Sequence, residues 1–162
     1  MDPMHMEAIE TALSIENRSL SFYRGAASKV TDENTRRIFE LLAKEEAEHV
    51  EYLCRLFDGN RDERVGSSGL QDMLSEPGYR ELFDSVDSNT NETGALRIAL
   101  REEQACIERY TDFAQTIREP RIRDVFIRLL NETGKHSELI SEEYMRIMHM
   151  VDRTDQDVFV RE

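Results

Sequence analysis

Apolar residues recur along the first part of the chain at steps of three, four and seven, the spacing of a helix with one buried face. Ile9, Leu13, Leu20, Tyr23 and Ala27 form one such stripe. It predicts a helix over about 3–28, with Asp2 as cap and Pro3 at the first helical position. Ile38, Leu42, Leu53 and Leu56 predict a second helix over about 32–58, capped by Thr31 or Asp32 and stopped at Gly59. Leu96, Leu100, Ile107, Tyr110, Ala114 and Ile117 predict a third over about 91–118, starting near Thr90 or Asn91. Ile122, Phe126, Leu129, Ile140 and Ile147 predict a fourth over about 120–150, opened by Pro120. Residues 151–162 have no clear period and are expected to form a tail, disordered or docked.

Residues 59–90 are of another kind. They hold Gly59, Gly66, Gly69, Gly78 and Pro77, with room for a short helix around 70–74 or 79–83. Such a connection is far longer than the roughly two to eight residues usual between antiparallel helices. It can run the length of a helix and re-enter at the other end, making the second and third helices parallel. The expected fold is all-α: a four-helix bundle over 1–150, built from two antiparallel hairpins joined by a long crossover.

A repeat supports that division. Shifted by 87 positions, the first two helices fall on the last two without a gap, placing Ala12 on Ala99, Glu16 on Glu103, Tyr23 on Tyr110, Phe39 on Phe126 and His49 on His136. Leucine matches follow from a shared helical period. Matches of glutamate, tyrosine and histidine do not.

Composition narrows the partners. The 162 residues carry a net charge of −13, which disfavours nucleic acid and anionic membranes. No apolar run approaches the ~20 residues of a membrane span, and the N-terminus lacks the basic and apolar regions of a signal peptide. Cys54 and Cys106 make no CxxC motif and read as free helix thiols. These features lead us to expect a cytoplasmic protein, so Asn91 and Asn131, each in an Asn-x-Thr triplet, are chance matches to a glycosylation signal.

The polar residues that interrupt the stripes carry the chemistry. Glu16 lies between Leu13 and Leu20, Glu103 between Leu100 and Ile107, and the pair Glu46 and His49 between Leu42 and Leu53. His136 lies between Leu129 and Ile140. A lone Glu-x-x-His is more often a surface pair. Here Glu16, Glu46, Glu103 and position 133 all stand 15 residues from their hairpin turn, a common depth of ~22 Å at ~1.5 Å per residue. A carboxylate buried in a bundle is costly unless paired or bound to metal. One glutamate from each of two helices, with Glu-x-x-His from the other two, is a di-metal arrangement, and its hard oxygens with one imidazole per ion suit iron or manganese.

"SIENRSLSFY" and "LLAKEEAEHVEYL" resemble the rubrerythrin-like branch of the ferritin-like superfamily over about residues 5–150. The resemblance implies a ferritin-like bundle, often dimeric, holding two irons, with manganese or zinc as substitutes. It implies reduction of peroxide or oxidation of Fe(II) with peroxide or oxygen as oxidant. It carries Glu16, Glu46, His49, Glu103 and His136 onto ligand positions, and Tyr23 and Tyr110 onto tyrosines that bond ligand carboxylates. There is no rubredoxin module in the sequence, so electrons are expected from an external donor. Thr133 replaces the second bridging glutamate. Glu132 is the expected substitute ligand, re-aimed by a π-bulge at Gly134, and the second metal is expected to have one ligand fewer. The alternative is a bundle of the same descent whose degraded site serves as an interaction or regulatory module. His5 and His149 read as surface residues.

Overall fold

The computed structural model describes residues 1–58 and 91–159, with side chains described through residue 150. Four helices follow in order: α1 (Pro3–Lys29), α2 (Glu33–Asp58), α3 (Glu92–Thr116) and α4 (Pro120–Phe159). The connection over 59–90, with its expected short helix, lies outside the described residues. No strand occurs among the described residues.

Each helix begins where a side chain can take up its free amide groups. Asp2 accepts from the Met4 amide at 3.0 Å, Asp32 from that of Thr35 at 2.9 Å, Asn91 from that of Gly94 at 2.9 Å, and Glu119 from that of Ile122 at 2.8 Å. Of the alternatives that the sequence left open, Asp32 and Asn91 are the caps. α4 does not stop near residue 150. Its backbone stays helical to Phe159, through a stretch that lacks periodicity but also lacks glycine and proline, the residues that end helices.

α1 packs along α2 and α3 along α4, while α2 meets α4 and α1 meets α3 across the bundle. Glu92 fixes the direction of the second hairpin. Its carboxylate accepts from the amides of Thr31 and Asp32, both at 2.8 Å. The starts of α2 and α3 therefore lie at the same end, and the two helices run parallel. The core divides into two apolar clusters. One joins Leu20, Phe22, Phe39, Leu42, Leu96 and Ile140 at that end. The other joins Ile9, Leu13, Leu53, Phe57, Phe126 and Leu129 at the far end. A polar layer separates them.

A second polar network ties α4 to the start of α2. Glu143, buried, accepts from the Thr35 hydroxyl at 2.6 Å and from Asn34 at 2.8 Å. Arg146 bridges it to Asp32. The Thr35 amide, with help from its hydroxyl and from Arg146, holds the Asp32 carboxyl below the usual carboxylate range. Burial opposes ionisation of Glu143, but Arg146, Thr35 and Asn34 outweigh it and lower its pKa. Both carboxyls are depressed on folding. Their stabilisation is therefore complete above the unfolded value of about 4 and is lost as pH falls through the folded values. Arg146→Gln should destabilise the protein at about pH 7 and approach the parent near pH 3, read as urea midpoints. A gap that does not narrow on acidification would contradict the assignment.

Candidate metal centre

Between the two apolar clusters the helices place Glu16, Glu46, His49, Glu103, Thr133 and His136, each no more than 6% exposed. Burying so many ionisable groups in one layer is unfavourable unless they compensate one another. They gather into two donor groups, Glu16–Glu46–His49 and Glu46–Glu103–His136, each with ligand atoms within 4.8 Å of one another. Glu46 belongs to both.

In the first group, His49 Nδ1 lies 2.9 Å from Glu16 Oε2 and 3.2 Å from Glu46 Oε2. In the second, His136 Nδ1 lies 3.2 Å from Glu46 Oε1 and 3.8 Å from Glu103 Oε1. Yet His136 Nδ1 is buried with no hydrogen-bond partner. A ring nitrogen that faces two carboxylates without bonding to either is suited to a cation held between them. The two imidazoles stack with centroids 5.8 Å apart.

The electrostatics agree. Burial first, then the neighbouring Glu46, pushes the Glu16 carboxyl well up. Burial likewise raises Glu103, against the pull of His136. Burial also opposes ionisation of Glu46, but the adjoining Glu16, His136 and His49 side chains hold it below the usual range. Burial would lower the histidines. The close Glu16 and Glu46 carboxylates instead raise His49 to about 10, and the negative charge of Glu103 and Glu46 raises His136 to about 11. The layer thus holds positive charge against its carboxylates, the role that bound metal ions would take over with release of protons.

Tyr23 donates to Glu103 Oε1, and Tyr110 donates to Glu16 Oε1. Both bonds cross from one hairpin to the other. Burial and the adjacent carboxylates push both phenols up, so they remain neutral donors. Burial does the same for the Cys106 thiol, which is inert at neutral pH.

Two expectations change, the inward turn of Glu132 and the π-bulge at Gly134. Glu132 is in neither donor group. Its Oε2 meets His49 Nε2, on the outer edge of that ring, and its Oε1 receives Arg128 Nε at 3.2 Å. The helix around Gly134 is regular α-helix with no π-bulge, so nothing turns Glu132 inward. Thr133 occupies the inward position instead. Its hydroxyl is spent on the Leu129 carbonyl at 2.8 Å, a bond that threonine readily makes one turn back along its own helix. The two donor groups are equal in size: Glu46 is common to both and Glu103 belongs to only one, so each has two carboxylates and one imidazole.

Glu45 went unnoticed in the sequence. Its Oε2 lies 2.7 Å from His136 Nε2. The 87-position shift places it on Glu132, which was the available signal. A cavity of about 220 Å³ opens beside both histidines, lined also by Glu45, Glu48, Glu132 and Lys135.

Residues 7–144 match the family model described as Rubrerythrin. No curated protein matches the chain. Among solved structures the chain is similar to a two-domain protein of Anabaena variabilis that contains DJ-1/ThiJ/PfpI-like and ferritin-like domains. That match has a TM-score of 0.73 and 18% identity, and it covers 88% of this chain and 39% of that one. At that identity the likeness bears on the fold alone, and the chain spans well under half of its neighbour's length.

Proposed function

We propose, from the premise that this chain belongs to the rubrerythrin family, that it is a di-iron protein acting on peroxide, oxygen or Fe(II) in the bundle core. The observation that carries this reading is the pair of buried donor groups sharing Glu46, with the unpartnered His136 Nδ1 facing its carboxylates. Glu16, Glu46 and His49 would hold one ion, and Glu46, Glu103 and His136 the other. Carboxylate oxygens with one imidazole each suit iron, with manganese or zinc as substitutes. When bound, the two ions would supply redox chemistry, relaying electrons from an external donor or from Fe(II) to peroxide or oxygen.

The chain's own residues prepare the site. Tyr23 and Tyr110 each fix one oxygen, of Glu103 and of Glu16 respectively. The apolar clusters on either side limit water in the layer. The cavity beside the histidines offers an approach suited to a small oxidant. Electrons come from a separate carrier protein, and the chain works as a cytoplasmic homodimer without nucleic-acid or membrane partners. The acidic balance of the sequence supports the exclusions, and no helix among the described residues is long and apolar enough to cross a membrane.

Loading with Fe(II), adding peroxide and following near-ultraviolet charge-transfer absorption tests the reading, with bound metal counted by elemental analysis. Two ions per chain are expected. None would favour a second reading, a family member whose degraded site serves as an interaction module; the Thr133 hydroxyl turned back to its own helix is what favours it. Initial rates with peroxide and with Fe(II) as the varied substrate separate a peroxidase from a ferroxidase. His49→Ala is expected to remove one of the two ions, and a retained pair would contradict the ligand set.

A further inference from the structure

Beyond the donor groups, each histidine meets one more carboxylate, and each comes from the opposite hairpin. His49 on α2 turns Nε2 to Glu132 on α4. His136 on α4 turns Nε2 to Glu45 on α2, at 2.7 Å. The two contacts are counterparts under the 87-position shift. Both carboxylates stand at the rim of the cavity, Glu45 43% and Glu132 30% exposed. An exposed ion pair gains little by itself. These two, however, fall on the one ring nitrogen that each donor group leaves over. Arg128 holds the second oxygen of Glu132 at 3.2 Å and lies over the Tyr52 ring, 4.8 Å from its centroid.

A histidine that binds metal through one nitrogen carries its proton on the other, and the group accepting that proton fixes the tautomer and the ring plane. We propose that Glu45 and Glu132 are positioning residues for the metal centre, holding His136 and His49 with Nδ1 aimed inward, each across the bundle from the other hairpin. The proposal rests on the di-metal reading above. It assigns these residues no ligand role: they act through the histidines.

Co(II) is the probe, since its visible absorption reports occupancy of the site. Glu132→Ala should weaken Co(II) binding by about 10–100-fold at one of the two positions, and Glu45→Ala should do so at the other. Glu132→Gln and Glu45→Gln keep an acceptor oxygen and should recover most of the affinity. Glu48→Ala, in the same cavity wall but bonded to neither histidine, should match the parent. In the metal-free protein, the slowly exchanging Nε2 proton of His49 should vanish from the NMR spectrum in Glu132→Ala alone, and that of His136 in Glu45→Ala alone. Alanine variants with parental Co(II) affinity at both positions would overturn the proposal, as would Nε2 protons indifferent to the substitutions. A parent that takes up no Co(II) would overturn the metal reading itself, and this proposal with it. The proton signals would then leave Glu45 and Glu132 as plain ion-pair partners.

Discussion

Glutamine at position 46 is expected to empty both metal positions together. Glu46 is the one residue common to the two donor groups, and its two oxygens are divided between them. Oε2 lies 3.2 Å from His49 Nδ1 and Oε1 lies 3.2 Å from His136 Nδ1. The amide preserves size but removes the charge and turns half of the acceptor into a donor, leaving each position with one carboxylate and one imidazole. Glu16→Gln and Glu103→Gln each touch a single group, so each should cost one ion. Metal-to-protein ratios after dialysis against Fe(II) or Co(II) distinguish the cases. A Glu46→Gln protein that keeps one ion firmly would mean that the groups do not share the residue in solution.

Thr133→Glu should move metal-free and metal-loaded stability in opposite directions. Thr133 is 4% exposed, with its hydroxyl satisfied. A glutamate there adds a further carboxylate to a layer that already raises Glu16 and Glu103 above their ordinary values. Without metal, burying it costs several kcal/mol even after it takes up a proton. At roughly 2–4 °C per kcal/mol for a domain of this size, the melting temperature should fall by about 5–10 °C. With metal, the same group would offer a further carboxylate donor from the buried layer. Outer partners of metal ligands are worth about 10–100-fold in affinity, and a direct ligand should bring at least roughly tenfold. Thr133→Val, which loses only the hydroxyl, should do neither. Melting curves with and without Co(II) check all three variants. A glutamate variant that is more stable without metal than the parent would show that position 133 does not face the shared layer.

Helical periodicity made the bundle legible because two opposed hairpins need little else. The stripes through Leu13, Leu42, Phe126 and Leu129 end in fully buried side chains. The inward glutamates and histidines were legible for a related reason: they break an apolar stripe at one common depth, where no charged residue belongs without a partner. Glu132 was misjudged because adjacency to a missing ligand looked like substitution, although a neighbouring helix position points about 100° away. Glu45 was passed over because it sits beside the stripe and resembles any solvated glutamate. Its value depends on His136, 91 residues on, and no local pattern encodes a contact across two hairpins. The continuation of α4 past residue 150 was hidden because residues 151–159 carry no apolar period to read, although nothing in them breaks a helix.

The crosswise contacts also bear on how such a chain arises. Neither hairpin completes its own chemistry. Glu16 takes its tyrosine from α3, Glu103 takes its own from α1, and each histidine takes its outer carboxylate from the other half. The α1–α2 hairpin nonetheless carries every part once: Glu16, Tyr23, Glu45, Glu46 and His49. Two copies of it, facing one another across a twofold axis, would supply each other in full. The chain has the form of such a pair joined end to end. In two separate copies any substitution would strike both sides of the centre at once. In the joined chain the halves can differ, and Thr133, the counterpart of Glu46 under the 87-position shift, is a change that a symmetric pair would have to accept in duplicate.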